Sequence, residues 1–443
     1  MGPGPHWSGT QPLTLTQGHT GMGRIKDRAV VIGQGYVGLP VAVRAAEAGF
    51  SVVGFDVEPR KVKLLNAGQS YVEDIADDRL TAAVESGAYR ASCEPADLAD
   101  FDVAVISVPT PMGEGVPDLS FIESACDTVA PYVTPGCTVI LESTTYPGTT
   151  EELAGPRLEA GSGLKAGVDF MLGYSPERID PGNATWSLEN TPKVVSGVDE
   201  ASLASVQAFF DRIVERTVPV SGTREAELTK LLENTFRHVN IALVNELAMY
   251  ANDLGIDVWE AIDAASTKPF GYMRFTPGPG VGGHCLPIDP SYLSWQVERS
   301  LGQRFRFVEL ANDVNEHMPD YVVRRIQDIL NDQSRSVKGA TVLVYGLAYK
   351  ANTGDARETP ARPLIEQLQA LGADVWLADP HVADHQFPTG VTRVEGSAED
   401  LAGADVVAFL VDHAEFDNET IGNAPVPVLD CRHCLSGPLV RSL

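Results

Sequence analysis

Apolar residues fall in short unbroken runs near both ends of the chain and recur at helical spacing in the middle. Ala29-Val-Val-Ile and Ser51-Val-Val-Gly-Phe are runs of strand length rich in β-branched residues, as expected of strands buried on both faces. Phe101-Asp-Val-Ala-Val-Ile-Ser-Val108 and Cys137-Thr-Val-Ile-Leu141 read the same way, and another apolar stretch precedes Tyr174. Between the first two runs lies an Ala-rich helix from about Leu39 to Ala48, stopped by Gly49. Strand–helix–strand alternation predicts a parallel sheet. From about Glu225 to Leu254 the chain has no Pro or Gly and predicts one long helix. Alternation then resumes: strands at 340–346, 374–379, 405–411 and 426–430, and a helix from Pro360 to Leu371. The expected class is α/β, with two open parallel-sheet domains joined by an α-helical middle domain. The boundaries are 28–222, 223–325 and 326–443, after a tail at 1–27. Residues 1–23 hold no Asp, Glu, Lys or Arg and lack the apolar core of a signal peptide, so the fold is read without them.

The turn after the first strand is Gly33-Gln-Gly35-Tyr36-Val37-Gly38, G-x-G-x-x-G, and Asp56 follows 18 residues after the last glycine. Flanked by a strand and a helix, this is the dinucleotide fingerprint of a Rossmann-like domain. Gly33 allows the tight turn, Gly35 lets the backbone approach a pyrophosphate, and Gly38 lets helix and strand pack closely. The helix N-terminus offers free N–H groups to the phosphates. Asp56 would accept from the ribose hydroxyls and repel a 2′-phosphate, favouring NAD over NADP, although Arg60 and Lys61 stand nearby. Thr110 and Thr144 follow later strands, at the carboxyl edge where ligands bind in open α/β sheets. Glu177-Arg178 puts an acid and a base at the same edge. The C-terminal unit has the pattern without the glycines, and predicts a second Rossmann-like sheet for a less demanding ligand.

Lys230 and Asn234 are four apart on the long helix and share a face, continued by His238. They are either a solvated stripe or a pair aimed at a reacting oxygen. Residues 275–290, FTPGPGVGGHCLPIDP, are too rich in Gly and Pro for helix or strand. There the backbone can wrap a ligand and present Cys285 beside His284 and Asp289, a setting that favours a nucleophilic thiolate.

Composition narrows the class. Asp plus Glu number 60 against 33 Lys plus Arg, a formal charge of −27, which argues against nucleic-acid or anionic-membrane binding. An anionic ligand would need a site locally basic against that field. No apolar run reaches transmembrane length. Six Cys in 443 residues make no disulfide framework, and a reduced, cytoplasmic protein is expected. Cys431-Arg-His-Cys434 lacks a second Cys pair for zinc and follows a late strand, so no metal is expected. His381, His385 and His413 are read as surface residues of loops.

Together the motifs resemble the UDP-glucose/GDP-mannose dehydrogenase family of nucleotide-sugar 6-dehydrogenases. The matching segments, in family order, are GQGYVG at 33–38, SVPTP at 107–111, STTYPGT at 143–149, YSPER at 174–178, ELTKLLENTFRHVNIALVNE at 227–246, FTPGPGVGGHCLPIDP at 275–290 and GLAYKANTGDARETP at 346–360. The resemblance covers nearly everything from about residue 27 onward. It implies an NAD-dependent, metal-free, four-electron oxidation of a sugar C6 alcohol to the carboxylate. Cys285 matches the family nucleophile, which adds to the intermediate aldehyde so that a second hydride can leave. Lys230 and Asn234 match residues holding the C6 oxygen. Asp289 matches an acid that positions or activates water, and Glu177 an acid near the thioester. Gly33, Gly35, Tyr36, Val37, Gly38, Asp56, Lys61, Thr110, Thr144 and Arg357 match the NAD site. Arg178, Arg274, Phe275, Gly282 and Lys350, with Lys230 and Asn234, are the expected substrate contacts.

GGHCLPIDP and SPERIDPGN resemble the branch acting on UDP-N-acetylhexosamines. Ile288 replaces a lysine common in the UDP-glucose branch, and Arg274 stands where that hexosamine branch is expected to be less basic. The substrate is thus expected to be UDP-glucose or a UDP-N-acetylhexosamine. The same chemistry on a TDP- or GDP-hexose is the alternative, with a two-electron hydroxyacid dehydrogenase or a non-catalytic NAD-binding protein as remote ones. The family also implies a homodimer through the long helix.

Overall fold

A computed structural model describes residues 27–443 except 73, 114, 180–182, 184, 284, 285 and 287. The expected nucleophile Cys285, its neighbour His284 and nearly all of the tail lie outside the described residues.

The first strands are β1 (Arg28–Ile32), β2 (Ser51–Phe55), β3 (Tyr89–Ser92) and β4 (Val103–Ile106). A small hairpin, β5 (Met112–Gly113) and β6 (Val116–Pro117), precedes β7 (Thr138–Leu141), β8 (Met171–Tyr174), β9 (Lys193–Gly197) and β10 (Thr217–Pro219). The hairpin apart, they form one sheet in the order β10-β9-β8-β7-β4-β1-β2-β3. Alternate residues of β1 face opposite layers, Ala29 and Val31 into one apolar core, Val30 and Ile32 into the other. This two-sided burial is why the sequence runs are unbroken. Strand order reverses at β1, with β2 on one side and β4 on the other, opening a crevice at their carboxyl ends. One pair departs from the all-parallel expectation: β8 and β9 are antiparallel. An antiparallel neighbour needs no crossover helix, and residues 175–192 hold none among those described.

The long helix runs Thr223–Asp253, 31 residues or about 46 Å. Helices at Val258–Ser266, Asp289–Leu301 and Arg306–Glu316 follow. Asp257 caps the first of these, accepting from the N–H groups of Trp259 and Glu260. The next helix, Met318–Asp332, contributes Met318, Val322, Ile326 and Leu330 to the core that contains Val342 and Val344 of the second sheet.

That second sheet holds β11 (Thr341–Tyr345), β12 (Asp374–Ala378), β13 (Thr392–Arg393), β14 (Val406–Phe409), β15 (Val428–Asp430) and β16 (Val440–Ser442). It is parallel throughout, in the order β13-β12-β11-β14-β15-β16. The fold class is the expected one: α/β, two Rossmann-like sheet domains around a long-helix middle.

Candidate active site

The glycine turn has the packing its spacing predicts. Gly33 has φ +90, and a Cβ there would lie 2.2 Å from the Ser107 carbonyl oxygen. A Cβ on Gly38 would lie 1.9 Å from the Gly33 carbonyl, so helix and turn touch through backbone alone. At Gly35 nothing lies within 4 Å of that position, which leaves the open approach a pyrophosphate needs. Val37 caps the Gly38–Glu47 helix and Tyr36 is partly exposed beside it. Asp56 closes β2; its Oδ2 accepts from the Gln34 N–H at 3.0 Å and its Oδ1 from the Glu58 N–H at 3.0 Å. Lys61 Nζ stands 3.6 Å from Asp56. These residues fit a dinucleotide held by its phosphates and ribose.

Thr110, past the end of β4, is buried, and its carbonyl accepts from the Tyr292 hydroxyl. Thr144 is half-buried, whereas its neighbour Thr145 is fully buried and donates to Thr149 at 2.5 Å. Of the two threonines, Thr144 has the more accessible side chain. Arg357 pairs with Asp355 at 2.6 Å and lies 5.9 Å from the Tyr36 ring centre. Both line a cavity of about 1150 Å³ that also reaches Val281, Arg362 and His381.

The long helix turns a polar face inward. Glu227, Lys230, Asn234 and His238 repeat every three or four residues, and Lys230 and Asn234 are only 8% and 7% exposed. That excludes the solvated stripe. Glu227 accepts from the Gly148 N–H at 2.5 Å and the Thr150 N–H at 2.9 Å, pinning the helix to the segment after Thr144. Asn234 Nδ2 donates to Asp289 Oδ2 at 2.5 Å. Burial raises Asp289 to about 6, against the opposing pull of Lys230 and the Asn234 hydrogen bond. The carboxyl can therefore gain and lose a proton near neutral pH.

Glu177, after β8, is held at both oxygens. Oε1 accepts from the Arg178 and Ile179 N–H groups at 2.6 and 2.7 Å, and Oε2 from Lys193 Nζ at 2.8 Å. Burial alone would raise it, but Lys193, the Ile179 N–H and Lys230 outweigh burial and hold it below the usual carboxylate range. Lys230 thus acts electrostatically on both Glu177 and Asp289, and the three form one cluster with Asn234.

Sequence reasoning missed Lys193 and Glu142, which sit behind Glu177, and Tyr292. The only signal for the pair is a charge at the end of a mostly apolar strand: Lys193 opens β9 and Glu142 follows β7.

The expected substrate residues divide. Arg178 is engaged by Glu233 at 2.6 Å and by the Pro192 carbonyl. Arg274 pairs with Asp263 on the Val258–Ser266 helix. The Phe275 ring lies 5.8 Å from that of Phe236. A Cβ on Gly282 would lie 2.7 Å from the Glu358 carbonyl and 2.9 Å from Tyr349, so the glycine-rich loop packs on the segment that bears Lys350.

His413 corrects an expectation. Read as a surface residue, it is 1% exposed; its Nδ1 accepts from the Asn352 N–H at 3.0 Å and its Nε2 lies 3.1 Å from Asp379. Asp379 follows β12 as Asp56 follows β2, and it also accepts from the Leu347 and Ala348 N–H groups. The second sheet thus repeats the acid of the first and closes it with a histidine, a long-range pairing that no local pattern reveals. His381, His413 and Glu415 have ligand atoms within 4.8 Å of one another, but both His413 ring nitrogens are already used. Cys431 is fully buried, which pushes its thiol up, whereas Cys434 is exposed.

A glycine-turn dinucleotide fold joined to a buried lysine–asparagine–carboxylate cluster defines an NAD-dependent oxidoreductase. Three family models match in order: the UDP-glucose/GDP-mannose dehydrogenase family NAD binding domain at 27–216, central domain at 224–317 and UDP binding domain at 343–437. The UDP-N-acetyl-D-mannosamine dehydrogenase of Pyrococcus horikoshii is 35% identical over 419 residues, 93% of this chain and 97% of that protein. The NDP-N-acetyl-D-galactosaminuronic acid dehydrogenase of Ralstonia nicotianae is 35% identical over 398 residues, 87% of this chain and 90% of that protein. The solved structure of the P. horikoshii UDP-D-ManNAc dehydrogenase superposes with TM-score 0.84 at 34% identity, covering 94% of this chain and 98% of that one. The chain belongs to the UDP-glucose/GDP-mannose dehydrogenase family. It is an NAD-dependent nucleotide-sugar 6-dehydrogenase.

Proposed function

We propose that this protein oxidises the C6 hydroxyl of a UDP-hexose to the carboxylate in two successive two-electron steps, and that the sugar is a UDP-N-acetylhexosamine. The observation that carries the reading is the buried cluster of Lys230, Asn234, Asp289 and Glu177 beside the glycine-rich loop. NAD, when bound along Gly33–Gly38 and Asp56, supplies the hydride acceptor for both steps. Lys230 and Asn234 hold the C6 oxygen and stabilise the negative charge it gains as its proton leaves. Asp289, able to exchange a proton near neutral pH, takes that proton directly or through water. The Cys285 thiolate adds to the aldehyde carbon, because an aldehyde has no second hydride to release until a nucleophile has added. The thiohemiacetal loses that hydride, and water, held by Glu177 and Asp289, cleaves the thioester to release the acid and the thiol.

The sugar class rests on the GGHCLPIDP motif and on the names of the two relatives. Lys350, in the segment packed on the glycine-rich loop, is read as a contact to the nucleotide-sugar. Arg274 and Phe275 flank the same loop as candidates for sugar selectivity. The test is a panel of UDP-, TDP- and GDP-sugars assayed for NAD reduction. About two NADH per sugar are expected, with Cys285→Ala abolishing steady-state acid formation. One NADH per turnover with release of an aldehyde or ketone would reject the reading, and preference for a TDP- or GDP-sugar would reject its substrate.

We also infer that two copies pair through the long helix. Leu228, Leu232, Phe236, Leu243, Leu247, Tyr250 and Leu254 are exposed along it at spacings of mostly three or four residues. A contiguous apolar stripe of this kind is the mark of a partner surface.

A further inference from the structure

Glu177 belongs to a buried ionic triad whose other two members, Lys193 and Glu142, the reaction above does not use. Lys193 Nζ stands 2.5 Å from Glu142 Oε1 and 2.8 Å from Glu177 Oε2. All three side chains are removed from solvent, at 2%, 1% and 7% exposed for Lys193, Glu142 and Glu177. The Phe210 ring, 5.2 Å from the ammonium, closes one side. Among the described residues Glu142 Oε2 has no hydrogen-bond partner, an arrangement that costs free energy in a core. Three strand ends supply the members: Glu142 from β7, Glu177 from beyond β8 and Lys193 from β9. The antiparallel turn of β9 is what brings the first residue of that strand to the carboxyl edge of its neighbours. Removing charges from water to this degree seldom stabilises a fold relative to apolar packing, so the triad suggests a role beyond stability.

We propose that Lys193 is a positioning residue, anchored by Glu142, that holds Glu177 as an aimed carboxylate at every pH where the enzyme works. The proposal rests on the reading of Glu177 as a group acting on the reacting centre. With both Glu177 oxygens occupied, Oε1 by two backbone N–H groups and Oε2 by Lys193, the carboxylate cannot rotate away. The charged groups facing it are Lys193 from β9, Glu142 from the end of β7 and Lys230 from the long helix. Lys230 is committed to the substrate oxygen, which leaves Lys193 as the standing counter-charge. Glu142, raised to about 7 by burial, holds the ammonium from behind through its Oε1.

The experiment compares Lys193→Met/Glu142→Gln, Lys193→Arg and Glu177→Gln with wild type, following NADH formation across pH. In the double variant Glu177 loses its ammonium, burial raises its pKa, and turnover at neutral pH should fall about a hundredfold while climbing about tenfold per pH unit toward alkaline pH. Lys193→Arg should restore most of the neutral activity. A merely structural lysine would instead give a loss that is equal at all pH values, or none, and either result overturns the proposal. Should the double variant not fold, ¹³C-carboxyl-glutamate NMR of the wild-type enzyme decides, the Glu177 signal being assigned by its loss in Glu177→Gln. No titration of that signal is expected between about pH 5 and 9, and a midpoint near 7 overturns the proposal. The underlying reading fails separately: Glu177→Gln with wild-type turnover would remove Glu177 from the reaction whatever the Lys193 variants do.

Discussion

At the scale of single residues, Asp289 ties stability to pH. In the unfolded chain an aspartate titrates near 3.8, whereas burial raises the folded carboxyl to about 6. The folded state therefore binds the proton more tightly. The stability linked to it is complete below about pH 3.8 and is lost as pH rises through about 6. A shift of that size corresponds to on the order of 3 kcal/mol. Asp289→Asn should escape the loss while keeping an acceptor for Asn234. Its melting temperature should match wild type near pH 4 and exceed it above about pH 6, by on the order of 5 °C. If Asp289 is the proton acceptor, the same variant should lose at least about a hundredfold in turnover, and the acid limb of the wild-type profile should fall near pH 6. Thermal melts and pH–rate profiles read both. Coincident melting curves at pH 8 would mean that the charged carboxylate is better solvated than its burial implies.

At the scale of elements, what the sequence revealed followed from whether information was local. The glycine turn, Asp56 and the long helix are short-range patterns with one physical reading, and all appear where spacing predicts them. Which face of the helix turns inward does not follow from the ordinary rule that apolar faces are buried. Here the polar face, Glu227 to His238, is inside, and leucines at 228, 232, 243 and 247 are outside. Lys193, Glu142 and Tyr292 went unnoticed because their partners are distant in sequence: 51 residues separate Glu142 from Lys193, and 182 separate Thr110 from Tyr292. The last pair is testable. The Tyr292 hydroxyl, on the helix that begins at Asp289, is the bridge from that helix to the carbonyl of Thr110, at the expected cofactor edge. Tyr292→Phe strands a buried carbonyl and should cost about 1–2 kcal/mol. Because it loosens one element against another, KM for NAD should rise about three- to tenfold with kcat nearly unchanged. A uniform loss of kcat with normal KM would show that the bridge serves chemistry rather than cofactor placement.

At the scale of the whole molecule, the proposed pairing of two copies rests on the outward face of the long helix. Leu232, Leu247 and Leu254 are 62%, 48% and 72% exposed, and Leu310 and Phe307 of the Arg306–Glu316 helix add 58% and 68%. Monomeric proteins seldom leave so large an apolar patch uncovered. A net charge of −27 would push two such chains apart, but at physiological salt that repulsion is screened beyond about 8 Å. Close contact is then governed by the apolar stripe. Each leucine buried in the pair is worth about 1.5–3 kcal/mol, so two introduced carboxylates should suffice to dissociate it. Leu247→Asp/Leu254→Asp should sediment at 47.4 kDa, and the unsubstituted protein at about twice that mass. The two positions lie more than three helical turns beyond Asn234, so NAD affinity of the dissociated variant should be retained. Turnover should fall, because the helix bearing Lys230 and Asn234 would lose the support of its partner. A single-chain mass for the unsubstituted protein would remove the pairing, and the exposed stripe would then need a partner of another kind.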